Sequence, residues 1–125
     1  MSLRRQATLG MAITPASLLI RPQRRADYPL SVTFKDSTGA AINLTGWTVV
    51  AQMWDKARTA KVGDFTVTVT SAANGQVSLR LPHTVTVNMT AAEYYYDVML
   101  INPSGLREYY LEGIARPSEG YSAPA

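Results

Sequence analysis

Three observations predict an all-β fold, an antiparallel β-sandwich or small barrel. Apolar and polar residues alternate at period two in several segments, and turn residues punctuate them at roughly ten-residue spacing. No segment keeps a helical period beyond a single turn.

The elements follow in order. Residues 1–16 show no clear periodicity and read as an extended arm, and 17–21 (SLLIR) is a short candidate strand. In 28–35, Tyr28, Leu30, Val32 and Phe34 alternate with Pro29, Ser31 and Thr33, and Pro29 sits near the start, where a missing donor is tolerated. Asp36-Ser37-Thr38-Gly39 is a turn, with Asp accepting backbone bonds and Gly supplying the left-handed residue. In 47–54 (WTVVAQMW), Val49, Ala51 and Met53 occupy one face; the polar stretch 55–64 reads as an exposed loop. Phe65, Val67 and Val69 alternate with threonines, then Ala73-Asn74-Gly75 turns the chain into 77–81, the clearest hairpin by alternation. Thr90-Ala91-Ala92-Glu93 has capping-box form and predicts one helical turn.

The last hairpin, 94–116, is the most complete. Tyr94, Tyr96, Val98 and Leu100 share one face, Asn102-Pro103-Ser104-Gly105 supplies turn chemistry, and 107–116 returns with Gly113 as a bulge or close-approach point. These segments make about seven strands. The organisation is an extended basic N-terminal arm (1–25), a sandwich domain (26–117) and a loop-like C-terminal tail (118–125).

With 125 residues, the chain has room for one core, and 46% apolar against 17% charged residues describes a folded protein. Cysteine is absent, which excludes disulfides and thiolate metal sites. The net charge of +3 is uneven. Residues 1–26 hold five arginines and no acid, whereas the rest holds seven Lys/Arg against nine Asp/Glu. The arm's apolar run is broken by Pro15 and Ser17 and followed by RPQRR, so it reads neither as an export leader nor as a membrane span.

No catalytic, metal or cofactor constellation emerges. His83 is the only histidine, it follows Pro82 after a strand, and neither a nucleophile elbow nor a metal-ligand spacing accompanies it. Glu108 and Glu112 read as sharing one strand face in solvent, and Asp97 as facing solvent or a neighbouring protein. Two Asn-x-Thr sequences, at Asn43 and Asn88, fit ordinary β-turn composition.

Binding is better supported than catalysis. Arg4, Arg5, Arg21, Arg24 and Arg25, interleaved with apolar residues such as Leu18 and Leu19, suit an arm lying in a groove of an acidic protein neighbour. Aromatic residues for base stacking are missing before Tyr28, which argues against nucleic acid. Of the tyrosines in the last hairpin, Tyr95 and Tyr110 are expected outside, where exposed Tyr favours interfaces or sugar stacking.

The order of segments resembles a known family. FKDSTGAAINLTGWTVVAQM resembles the strand, D-x-x-G, hydrophobic-x-LTG, strand opening of small immunoglobulin-like proteins of tailed bacteriophages. GQVSLRL and MTAAEYYYDVMLINPSGLREYYLEG resemble the second half of that pattern, of the type found in the N-terminal domain of baseplate upper proteins. The resemblance spans about residues 18 to 116, and its motifs are structural. It implies an immunoglobulin-like sandwich acting as a non-enzymatic virion component, assembled in the host cytoplasm. Its partners would be copies of itself, as a homo-oligomer, and other phage virion proteins in the tail, baseplate or fibre-attachment region. The resembled proteins continue into a long additional region and lack this basic arm, so a capsid decoration protein stays open. So does a carbohydrate- or receptor-binding module using Trp54, Tyr95 or Tyr110 as stacking platforms. An enzyme centred on His83 would be a hydrolase.

Overall fold

The computed structural model describes residues 16–119 in full and, ahead of them, the backbone of residues 2–4, 6–7 and 13–14. In chain order the elements are β1 (Ser2–Arg4), β2 (Gln6–Ala7), β3 (Ile13–Thr14), β4 (Ala16–Ser17), β5 (Tyr28–Lys35) and β6 (Thr48–Asp55). There follow β7 (Lys61–Asp64), β8 (Thr66–Ser71), β9 (Gln76–Leu81), the one-turn helix α1 (His83–Thr86), β10 (Tyr94–Ile101) and β11 (Arg107–Ala115). They build a β-sandwich. A four-stranded sheet in the order β1-β5-β9-β8 faces a five-stranded sheet in the order β4-β11-β10-β6-β7, and β2 pairs with β3 alone.

Period-two alternation places the core. Leu30, Val32 and Phe34 of β5 and Val77, Leu79 and Leu81 of β9 meet Ala51, Met53, Tyr94, Tyr96, Val98 and Leu100 of β6 and β10. Burying each large side chain contributes about 1.5–3 kcal/mol. Phe34 packs edge-on against Tyr110 of the opposite sheet, ring centroids 5.9 Å apart. The turns follow their sequence chemistry. Asp36 Oδ1 accepts the N–H groups of Thr38 at 2.9 Å and Ala40 at 3.1 Å, and Asn102 Oδ1 accepts those of Ser104 and Leu106 at 3.0 Å.

Four features depart from the sequence expectations. First, the stretch 55–64 contains a strand. β7 pairs with the edge of β6, and a short edge strand with two charged residues in four carries no alternation to reveal it. Second, the helical turn forms at His83–Thr86 instead of 90–93. Asp27 Oδ1 accepts the His83 N–H at 2.7 Å, and the buried Thr86 hydroxyl donates to the Ala26 carbonyl at 2.9 Å. The carboxylate of Glu93, needed for the capping box, instead pairs with Arg116 at 3.1 Å.

Third, residues 16–24 belong to the sandwich. The seven strands between 26 and 117 pair antiparallel, but this segment runs parallel to β11. Leu18 N–H donates to the Glu112 carbonyl at 3.3 Å, Ile20 N–H to Ile114 at 3.0 Å, and Arg116 N–H to Ile20 at 2.9 Å. Gly113 permits this closeness, because any Cβ there would collide with the Leu18 carbonyl. The Tyr96 hydroxyl donates to the same oxygen at 2.5 Å, and burial pushes its pKa far up. So Gly113 is a close-approach point.

Fourth, the bulge lies at Tyr110. Pairing steps from Val98–Leu111 to Met99–Tyr109, leaving Tyr110 as the extra residue. Tyr110 and Leu111 therefore both turn inward, which corrects the expectation that Tyr110 is outside. Tyr109 takes the outer position, 51% exposed. The same parity break separates the two glutamates. Glu108 sits on the Tyr110 side, accepting from its hydroxyl at 3.4 Å, and Glu112 lies outside, opposite Asp97.

Candidate docking surface

The outer face of the five-stranded sheet gathers the molecule's unusual surface chemistry. Its rows come from cross-strand register. Val50, Gln52 and Trp54 of β6 lie beside Met99, Asp97 and Tyr95 of β10, and Tyr109 of β11 lies beside Met99. Together with Arg58 they line a depression of about 280 Å³, which brings Asp97 and the side chains of Trp54, Tyr95 and Tyr109 to one site. A second depression of about 200 Å³ continues toward β4, between Tyr95, Glu112 and Ser17.

A turn outside the sheet supplies the cation. Asp55 holds the β6–β7 turn, its Oδ1 accepting Thr59 N–H at 2.7 Å and its Oδ2 the Thr59 hydroxyl at 2.7 Å. These bonds, the Thr59 hydroxyl foremost, hold the Asp55 carboxyl below the usual carboxylate range. Arg58 is thereby set at φ +57°, an uncommon conformation for a side chain of its size. Its guanidinium lies 5.3 Å from the Tyr95 ring centroid, a cation–π arrangement that separates the two depressions. Gln52 Oε1 accepts the Trp54 indole N–H at 3.1 Å, which fixes the indole plane.

Asp97 is the electrostatic centre of the face. Burial pushes its carboxyl pKa up; Arg58 opposes that shift and Glu112 adds to it. Like charges directly opposite on a sheet are destabilising, so this pair costs the fold stability.

The arm residues named by the sequence fall elsewhere. Arg5 and the side chain of Arg4 lie outside the described residues. Leu18 packs half-buried against the core, whereas Leu19 is 44% exposed. Arg21 is exposed. Arg24 donates to the Val87 carbonyl at 2.9 Å and pairs with Glu119 at 2.8 Å, and Arg25 reaches the same carboxylate at 3.2 Å. These two cations thus tie the segment ahead of β5 to the segment that follows β11. Among the described residues that the sequence singled out for binding, Tyr95 and the stacking candidate Trp54 line the depressions. Val50 and Gln52 were within reach of the sequence as well, because with Trp54 they are the complement of the inward set Val49, Ala51, Met53. Arg58 carried no signal.

His83 Nδ1 lies 3.1 Å from Asp27 Oδ1 at an exposed position, and the His83 backbone N–H bond is the main cause holding the Asp27 pKa down. Among the described residues no group of three His, Cys, Asp or Glu could hold a metal ion, and no helix is long and apolar enough to cross a membrane.

No protein-family model matches the chain, and no curated protein matches it either. A solved structure does. The N-terminal domain of phage TP901-1 ORF48 superimposes with a TM-score of 0.58 at 8% identity, covering 94% of this chain and 94% of that one. The likeness is one of fold. Two sequences so different share the sandwich through nearly their full lengths, which marks the architecture, not the surface residues, as what they have in common.

Proposed function

We propose that this chain is a non-enzymatic structural protein of a bacteriophage virion, working by docking the outer face of its five-stranded sheet on other virion proteins. The observation that carries the reading is the fold likeness to a phage domain, which extends over 94% of both chains. The aromatic outer face supports it, since Trp, Tyr, Met and Arg are the residues enriched at protein interfaces. Within the virion, the tail, baseplate or fibre-attachment region is the proposed place, and symmetric assembly with further copies the proposed state. Such interfaces bury above roughly 1,000 Å².

Purified particles of the phage encoding the chain provide the test. The 13.6 kDa protein is expected in them at fixed stoichiometry by quantitative mass spectrometry. Recovery only in the particle-free lysate would refute the reading.

A second reading, a carbohydrate- or receptor-binding module, is favoured by one observation. Trp54 and Tyr95 are cross-strand neighbours on one exposed face, as a stacking platform requires.

A further inference from the structure

The depression between Trp54, Tyr95 and Tyr109 has a size and charge that narrow what can enter it. Pockets for drug-sized ligands run from about 300 to 1,000 Å³, and this one, at about 280 Å³, lies just below that range. Its lining includes Asp97, and the adjoining depression includes Glu112, directly opposite in register. Arg58 is the one cation lining the two depressions, so within that lining Asp97 and Glu112 leave one carboxylate in excess, while Arg107 and the paired Lys61 and Asp64 lie farther out on the same face.

We propose that this depression takes an arginine or lysine side chain presented by a partner protein, with the cation meeting Asp97 among the aromatic side chains. The inference rests on the reading that the chain docks on other virion proteins, and it specifies what those partners present. Arg58 shows the arrangement within the chain itself, a guanidinium 5.3 Å above Tyr95 beside the same carboxylate. Trp54 and Tyr109 add two further aromatic side chains to the lining for an incoming cation, and Val50 and Met99 add apolar surface for its aliphatic stem. The site is built before the partner arrives. The bond from the indole N–H to Gln52 holds Trp54, and the Asp55 turn holds Arg58, so little ordering remains at binding. The acid pair explains itself in these terms. Asp97 and Glu112 repel each other in the free protein, and an added positive charge turns that repulsion into attraction for the partner.

The test is an NMR titration of the ¹⁵N-labelled full chain with N-acetyl-arginine amide and N-acetyl-lysine amide. Both are expected to shift the Trp54 indole and the amides of Tyr95 and Asp97 saturably in the millimolar range, and less as salt is added. The neutral isostere N-acetyl-citrulline amide should bind about tenfold more weakly. Asp97→Asn, which preserves shape, should weaken arginine binding by a similar factor. Equal binding of citrulline, an unaffected Asp97→Asn variant, or no saturable shift at tens of millimolar would each overturn the proposal. So would salt-insensitive occupation of the same residues by maltohexaose, which would point to a glycan site. Particle assembly separates the two readings. If the wild-type chain enters virions and a folded Asp97→Lys chain enters equally well, the cation site is wrong while the virion role stands. If the wild-type chain is absent from virions, the virion role fails, and the titration still judges the depression.

Discussion

The two outer faces of the sandwich obey the same alternation yet carry opposite chemistry. On the four-stranded sheet, Ser31 and Thr33 of β5, Gln76 and Ser78 of β9 and Thr66 and Thr68 of β8 point outward. That face has a depression of about 240 Å³, similar in size to those opposite, but the outward side chains lining it are Ser31, Thr33, Thr70, Gln76 and Ser78, all polar and none aromatic. On the five-stranded sheet the same positions hold Trp54, Tyr95, Tyr109, Met99 and Asp97. Alternation decides which residues face the core; the identity of the outward set decides which face is left wet. Ser and Thr lose nothing by staying in water. Large aromatics around a half-buried acid lie in a shape that a second chain can fill.

Four substitutions would break or sharpen this contrast, and they scale from the chain's edge to its charge. Gly113→Ala is expected to destabilise most, by about 2 kcal/mol, because the new methyl meets the Leu18 carbonyl and displaces the edge strand bounding the aromatic face. Urea unfolding measures it, and protease cleavage within residues 16–24 should accelerate. A loss below about 0.5 kcal/mol would mean that this strand is not seated there. Tyr96→Phe removes the donor to that carbonyl and should cost about 1 kcal/mol in the same assay.

Tyr109→Thr gives the aromatic face a residue of the other face's type. Unfolding free energy should change by no more than about 0.5 kcal/mol, while binding of the arginine probe weakens measurably. A large stability loss would make Tyr109 a packing residue. Asp97→Asn should be slightly stabilising at pH 7, by a few tenths of a kcal/mol after allowance for its partial exposure. The sign follows from the raised pKa of the folded state. The ionised carboxylate is a penalty at pH values above that pKa, and the penalty vanishes as pH falls through it and below the ordinary value of 3.8. The difference in melting temperature between variant and wild type should therefore shrink with acidification; growth at low pH would contradict the assigned environment.

Much of the fold was legible. The strands at 28–35 and 94–101 match their alternating patterns residue for residue, since both are long, central and half apolar. What escaped was decided by tertiary structure. β7 is held by pairing with β6, not by its own pattern. The segment 16–24 joins the sheet because Gly113 lets it approach, a fact about another strand. The candidate site suffered most from one bulge. A single extra residue at Tyr110 turns both Tyr110 and Leu111 inward, so strict alternation about an inward Leu111 places the wrong tyrosine outside. Arg58 belonged to a stretch that looked like plain solvent-exposed loop, and its turn geometry, not its sequence context, puts it over Tyr95.

Hydroxyl-radical footprinting of the chain, free and in assembled particles, tests the central claim most directly, because tryptophan, tyrosine and methionine side chains all report oxidation. Trp54, Tyr95, Met99 and Tyr109 are expected to become protected on assembly, while peptides covering 66–71 and 76–81 oxidise at the free rate. Oxidation of those four side chains as fast in the particle as in solution, or protection confined to the serine- and threonine-lined face, would contradict the account.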